Sequence, residues 1–261
     1  MTKKQPKDRY EARLATGQAD IASALRLRYR VFVGELGADG PGVDHASQTE
    51  RDEFDAVFDH LVLVDRMADP GQGDHVVGVY RLLPGDRMAQ IGRFYSESEF
   101  DLTPLKTSGR KLLELGRSCI HADHRGGSGM YYLWNALARY VIERDIEILF
   151  GAASFHGTDL AALAAPLSYL HHAHLAPPAL RVRAHGGTAQ PQLLPAASVD
   201  RRTAMAATPA LIKAYLRLGG FVGEGVFVDH AFNTTDVCLV MDTNSMSAKH
   251  KEFYTRKGEA G

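Results

Sequence analysis

Charged side chains interrupt several apolar runs of the chain, and their types suit a site that moves protons and grips carboxylates. The run Leu112-Leu113-Glu114-Leu115-Gly116-Arg117-Ser118-Cys119-Ile120 holds Glu114 and Arg117 inside an otherwise core-like stretch. A carboxylate there could act as a general base, and a guanidinium could hold a carboxylate at two points. A regular strand would put the two on opposite faces unless a bulge intervenes, and Gly116 permits one. Arg81 breaks Val79-Tyr80-Arg81-Leu82-Leu83 in the same manner, and Arg28 shares helical spacing with Leu25 and Phe32. Charges at core positions are costly unless paired, so these intrusions are either structural ion pairs or site residues, and together they point to one polar pocket. Asp52-Glu53-Phe54-Asp55 adds carboxylates around an aromatic residue, a pattern that suits a cradle for a cationic substrate as well as a solvated loop. Asp59 and His60 are weaker candidates beside it.

A second chemical signal is the turn His124-Arg125-Gly126-Gly127-Ser128-Gly129, which follows an apolar run and precedes an amphipathic one. Glycines let a backbone approach a ligand closely, and the free amides and dipole of a helix start attract a phosphate or pyrophosphate. Arg125 would add compensating charge. The spacing matches neither a Walker A loop nor a dinucleotide fingerprint, so nucleotide hydrolysis is disfavoured.

Other chemistries find less support. Cys119 and Cys238 lie in apolar runs without a second thiol at metal or redox spacing, and read as buried, reduced core residues. No serine or cysteine stands with a base as a nucleophile would require, which favours direct transfer over a covalent intermediate. His171, His172 and His174 have no acidic or cysteine ligand nearby at suitable spacing and read as surface or packing residues, so no metal is expected.

The elements that would position these residues can be read from periodicity. Tyr10 to Ala15 reads as a strand, and Ile21, Leu25, Arg28, Phe32 and Leu36 mark an amphipathic helix that Asp20 could cap and Gly37 and Gly40 end. Residues 37 to 57 form a long polar loop, a candidate lid. His60 to Arg66 and Val76 to Leu83, with Pro70, Gly71 and Gly73 between them, read as an antiparallel pair. Lys111 to Ile120 is a strand. A helix carrying Met130, Leu133, Trp134, Leu137, Tyr140 and Val141 follows it, then a strand over Ile146 to Ala152. Thr158 could cap a short helix through Tyr169. Residues 171 to 207 lack a clear period and belong to an insertion spanning about 155–218, which ends with a helix over Thr208 to Leu218. Strands around Phe221 to Val228 and Asp236 to Met241 close the chain. Hairpin and crossover strands together predict a mixed α/β sheet flanked by helices, not a doubly wound one.

Length and composition fit one domain. With 261 residues, 45% hydrophobic and 23% charged, the chain can bury a full core, and its formal net charge of -1 argues against general nucleic-acid binding. No apolar window is long enough to span a membrane and no secretory segment opens the chain, which suits the cytoplasm. Lys3, Lys4 and Lys7 near one end and Lys249, Lys251, Arg256 and Lys257 near the other could meet an anionic surface.

The pieces LRLRYRVFVGELG, RDEFDAVFDHLVLVD, VVGVYRLLP and LLELGRSCIHADHRGG resemble the GNAT-like acyltransferases related to acyl-homoserine lactone synthases. LRLGGFVGEGVFVDHAFNTTDVCLVMD and the alanine- and histidine-rich insertion resemble the ornithine Nα-acyltransferase branch, which makes lyso-ornithine lipid in bacteria. The resemblance covers most of residues 20 to 242. It implies a single GNAT-like domain over residues 1–261, no permanently bound cofactor, and a 3-hydroxyacyl donor carried by the phosphopantetheine of acyl carrier protein. It also matches Arg28, Asp52, Asp55, Arg81, Glu114 and Arg117 to that group's charged positions. The lactone synthases have a tryptophan soon after the first helix where this chain has Leu36-Gly37-Ala38-Asp39, which disfavours their nucleotide-derived methionine substrate and suits another amino acid.

On this reading the substrates are ornithine and acyl carrier protein. Glu114 takes a proton from the attacking amine, and Arg117 holds the substrate carboxylate or orients Glu114. Asp52 and Asp55 meet the side-chain ammonium, with Arg28 and Arg81 completing the substrate site. Arg125, Gly126, Gly127 and Gly129 hold the pantetheine phosphate, and Arg125, Arg139 and Arg144 meet the acidic carrier protein. Membrane contact would be peripheral, at the inner face where an amphiphilic product is released. The competing readings are a lactone-signal synthase of the same fold and a non-catalytic acyl- or lipid-binding module.

Overall fold

The computed structural model describes residues 9–69, 73–126, 128–185 and 190–245. The basic residues near both ends, Pro70, Gly71 and Gly127 lie outside the described residues. Strand β1 (Tyr10–Leu14) leads into helix α1 (Gln18–Arg28), which runs on as a π-helical stretch over Tyr29–Glu35. Gly37, at φ +75°, follows the last turn, and its amide closes onto the Val33 carbonyl, a helix end that favours glycine.

The start of α1 differs from the sequence expectation. Gly17 occupies the capping position without a side-chain bond, while Asp20 lies inside the first turn and accepts from the Thr16 amide at 2.8 Å. Asp20 is buried because Arg13 at 2.5 Å and His75 at 2.8 Å also bind it. The buried stripe of the helix is likewise turned from the expected one: it runs through Asp20, Ser23, Ala24, Leu27, Arg28 and Val31, while Leu36 is exposed. Polar partners for Asp20, Ser23 and Arg28 outweigh the hydrophobicity of Ile21 and Leu25 in setting the rotation.

The predicted long loop holds a small ladder, β2 (Val43–Asp44) with β3 (Thr49–Glu50), and a 3-10 turn over Glu53–Ala56. Then come β4 (Asp59–Asp65) and β5 (Val76–Pro84), antiparallel as expected, with a register shift between Leu63 and Val64. After β6 (Phe100–Asp101) and the short α2 (Thr103–Lys106), β7 (Leu112–Ile120) feeds α3 (Gly129–Glu143), and β8 (Ile148–His156) follows. The ladder of β7 with β8 is parallel, as a helical crossover between strands demands.

The insertion is more ordered than its lack of period suggested. Between α4 (Ala164–His174), which runs past the expected end at Tyr169, and α6 (Ala210–Arg217), which lies where a helix over Thr208 to Leu218 was expected, it carries β9 (Arg183–Ala184) and α5 (Arg201–Ala207). Thr158 does not cap α4; the helix begins after Leu163, with no side-chain cap. Strands β10 (Phe221–Val222), β11 (Phe227–Asp229) and β12 (Thr234–Asp242) complete the fold.

These elements cluster into two compact units, each made of separate chain segments. The first, the described residues of 9–83 and 115–144, carries β1, β4, β5 and the later part of β7, with α1 and α3. Ala24 and Leu27 of α1 and Val31 of the π-helical stretch pack with Val62, Val64, Val76, Val79 and Cys119 in its core. The second, the described residues of 84–114 and 145–245, carries the first residues of β7 with β8 and β12; β10 and β11 both pair with β12. The mixed sheet with flanking helices is thus present. No helix among the described residues is long and apolar enough to cross a membrane.

Candidate active site

Five of the six charged residues singled out in the sequence meet in the first unit. Arg28, the last residue of α1, binds Glu50 at 2.5 Å and also Asp55. Arg81, in the middle of β5, grips Asp52 with both Nη atoms, at 2.6 and 3.0 Å, and reaches Asp55 at 2.8 Å. Arg117 contacts Glu50 at 3.3 Å and Asp52 at 3.2 Å. Three guanidinium groups therefore alternate with three carboxylates. Phe58 lies against Arg81, its ring centroid 4.6 Å from the guanidinium carbon.

Local sequence explains how the carboxylates are aimed. Asp52 caps the 3-10 turn by accepting from the Phe54 amide at 3.0 Å, and Asp55 reaches back to the Asp52 amide at 2.8 Å. This reciprocal box fixes both side chains through local bonds, in addition to those they make with arginines. The aromatic between them, Phe54, is buried and packs against Phe58, which is why the segment is anchored and not solvated.

Burial makes the ion pairs consequential. Arg28 and Arg81 are 0% exposed and Glu50 1%, so each charge survives out of water only through its partners. Burial alone would raise the pKa of Glu50, but Arg117 and Arg28 outweigh it and hold the group below its ordinary value. The same contest lowers Asp55, through Arg28 and Arg81, and Asp52, through Arg81. His60 is buried beside Asp55, whose backbone carbonyl lies 3.1 Å from its Nε2, and burial lowers its pKa. Arg117, with its side chain 11% exposed, is the arginine of the set with a path to solvent.

Arg117 also departs from strand geometry. Its φ is +50°, a left-handed conformation that non-glycine residues rarely adopt, at the residue after Gly116. The irregularity falls beside Gly116, where the sequence permits a bulge.

Glu114 is organised by the second unit. It is 1% exposed, and its two oxygens accept from the backbone amides of Tyr95 at 2.8 Å and Ser96 at 2.7 Å. Those amides open a 3-10 turn over Tyr95–Ser98, and the bonds fix the plane of the carboxylate.

The glycine turn divides by role. Gly126 has φ +72° with open space where a Cβ would stand. Gly129 serves packing: a Cβ there would lie 2.9 Å from Leu63 Cδ2. Arg125 is anchored to Glu35 at 2.7 Å and to the Ile120 carbonyl at 2.8 Å. Ser128 precedes α3 without a side-chain cap bond.

The cysteines are free and buried as expected, and burial pushes the Cys119 thiol up to about 12. His171, His172 and His174 sit in the last turn of α4, where His172 meets the Leu194 carbonyl at 2.9 Å. Sequence reasoning missed Glu50, whose neighbours look like solvated loop. It also passed over Asp236, which stands after two threonines at the start of the apolar part of β12 and is nonetheless buried.

Comparison with known proteins gives this arrangement its context. A model of the acetyltransferase (GNAT) domain matches residues 27–135, a span that holds all three arginines and all four carboxylates described above. Over 250 residues the chain is 61% identical to an L-ornithine N(alpha)-acyltransferase of Rhodobacter capsulatus, covering 96% of each. The fold is shared with an N-acyl amino acid synthase from uncultured soil microbes, at TM-score 0.52 and 12% identity over 94% of this chain and 98% of that one. It is shared too with a CoA-dependent acyl-homoserine lactone synthase, at TM-score 0.50 and 12% identity over 92% of this chain and 82% of the other. The chain is an N-acyltransferase with the GNAT-like fold and belongs to the L-ornithine N(alpha)-acyltransferase family.

Proposed function

We propose that the enzyme transfers a 3-hydroxyacyl group from acyl carrier protein to the α-amine of L-ornithine, giving lyso-ornithine lipid. The observation that carries this reading is the 61% identity to the Rhodobacter capsulatus enzyme along nearly the whole of both chains. In the proposed step Glu114, directly or through a water, takes a proton from the α-ammonium. The freed amine attacks the thioester carbonyl, the tetrahedral oxyanion collapses to the amide, and the pantetheine thiolate leaves and takes a proton. The bonds from Tyr95 and Ser96 support the role of Glu114 by fixing its orientation.

Arg117 is proposed to grip the substrate carboxylate, a role its partial exposure permits. Arg28, Arg81, Asp52 and Asp55 form the substrate-site framework that holds it. The start of α3, with Gly126, Gly127, Gly129 and Arg125, is proposed to receive the pantetheine phosphate, for which its amides and dipole are suited. Arg125, the exposed Arg139, and Arg144, stacked on Tyr140, are proposed to meet the acidic carrier protein. The reaction is proposed to take place in the cytoplasm, with peripheral contact at the inner membrane as the product leaves.

The test is release of free thiol from a 3-hydroxyacyl carrier protein by the purified enzyme, with ornithine, S-adenosylmethionine or no amine, and mass analysis of the product. Ornithine-dependent release with the mass of acyl-ornithine is expected. Release with S-adenosylmethionine alone would move the chain to the lactone synthases, and an intact donor would make it a binding module.

A further inference from the structure

The second unit gathers charges that the chemistry above leaves unused. Glu99, Asp229 and Asp236 each bring a carboxylate oxygen to a group whose atoms lie within 4.8 Å of one another. Glu99 and Asp236 are buried, and Asp229, at the end of β11, is half-buried. Carboxylates drawn together away from water favour a cation or a shared proton among them.

A separate observation concerns Thr234. It is 7% exposed, and its hydroxyl has no hydrogen-bond partner among the described residues. Thr234 stands directly opposite Asp229 in the antiparallel ladder, and Asp236 lies two residues further along the same strand. Opposed residues share a face of a sheet, as do residues two apart, so the hydroxyl is presented on the face that carries both aspartates. On the other side of β12, His156 pairs with Thr234 and Ser154 with Asp236, and both are exposed, which opens this face to solvent.

We propose that Glu99, Asp229 and Asp236, with the Thr234 hydroxyl, form the pocket for the side-chain ammonium of a dibasic acceptor amino acid. The inference rests on the ornithine reading above. An alkylammonium has three N–H donors, and bonds of about 2.9 Å at tetrahedral angles place their acceptors roughly 4.7 Å apart, a spread these carboxylates can match. Asp52 and Asp55 are committed to Arg81 and Arg28, so the ammonium needs acceptors elsewhere. The pocket also lies close in the chain to the base: Glu99 donates its amide to the Ser96 carbonyl at 3.1 Å, and the Ser96 amide binds Glu114. Cys238, two residues beyond Asp236, feels both carboxylates; burial first, then the charges of Glu114 and Glu99, raise its pKa.

The experiment compares ornithine with 2-aminopentanoic acid, the same chain without the ammonium, as acceptors for wild type, Glu99→Gln, Asp236→Asn and Thr234→Val. Wild type is expected to prefer ornithine. Glu99→Gln and Asp236→Asn should raise the ornithine KM about 10- to 100-fold, the loss expected for a hydrogen bond to a charged group, and erase the preference while kcat stays near wild type. Thr234→Val should shift KM in the same direction by less, and covers the case in which a carboxylate variant fails to fold. Equal use of both amino acids by wild type, or a preference retained in the variants, overturns the pocket and leaves the ornithine reading standing. Failure of wild type to acylate ornithine at all overturns both. A rise in melting temperature with calcium or magnesium chloride that is lost in Glu99→Gln overturns the proposal in favour of a metal site.

Discussion

Arg81 and Asp52 face each other as a two-point pair, with Nη1 to Oδ1 at 2.6 Å and Nη2 to Oδ2 at 3.0 Å, and the arginine is fully buried. Such a pair is weak evidence of net stability, because desolvation offsets its attraction, yet removing one member strands the other. Arg81→Leu should therefore destabilise the fold by about 3–5 kcal/mol, since Asp52 and Asp55 both lose a cation. Urea unfolding of wild type and variant measures this. A loss under 1 kcal/mol would mean water already reaches the pair.

The same network sets the acid limit. Asp55, Asp52 and Glu50 have folded-state pKa values held below their unfolded ones, so their contribution is fully present above about pH 4–4.5 and fades as pH falls from there through the folded values. His60, lowered by burial, acts earlier: the unfolded state binds its proton first, so stability begins to drop as pH falls below about 6.5. His124 and His174 are lowered by burial as well, so urea midpoints between pH 8 and pH 3 should fall in two stages, and His60→Gln should shrink the first without abolishing it.

Glu114→Gln tests the base. The amide keeps one acceptor but turns an N–H toward a backbone N–H, since both carboxylate oxygens accept from amides. Loss of the base should lower kcat by about 10²- to 10⁴-fold, with a stability loss of about 1–3 kcal/mol from the misplaced amide. Thiol-release kinetics beside a melting curve separates the two effects. Unchanged kcat would exclude Glu114 as the base.

Gly42→Ala tests how the carboxylates are presented. A Cβ at Gly42 would stand 2.2 Å from the Arg51 carbonyl oxygen, and the Arg51 amide bonds to the Gly42 carbonyl at 2.9 Å. The segment bearing Glu50 and Asp52 must move to admit a methyl group. Stability and acyl transfer should both fall, whereas Gly126→Ala, with open space at its Cβ, should lower stability only through the strain of its positive φ.

Both thiols should stay silent to a thiol reagent until the protein unfolds. Burial raises Cys119 to about 12 and raises Cys238 as well, which leaves almost no thiolate at neutral pH. Reaction of either in the native state would point to local opening around β7 or β12.

Much of this was readable from the chain because its strands carry strong signals. β4, β5, β7 and β12 are apolar runs bounded by turn residues, and the charges inside them had to be paired or functional. Arg81 and Arg117 were found on that ground, and Arg28 by its helical spacing with Leu25 and Phe32. Glu50 escaped because its neighbours are polar, and nothing local shows that Arg28, twenty-two residues earlier, reaches it. The rotation of α1 escaped for a related reason: Asp20 and Arg28 face inward through partners distant in sequence, which hydrophobic spacing does not record. Within the insertion α6 was legible, while α5 and the last turn of α4 were blurred by alanine, proline and histidine, whose spacing marks no buried face.

The ladder of β8 with β12 joins Ile148–His156 to Thr234–Asp242 across the whole insertion. Synthesis at about 5–20 residues per second leaves β8 emerged for several seconds before its partner strand exists. During that interval an apolar edge stands open to other chains, and pairing across so long a segment is slow to form. The enzyme should therefore lean on chaperones during translation, and a chain stopped before Thr234 should aggregate, even though the finished fold covers that edge along nine residues.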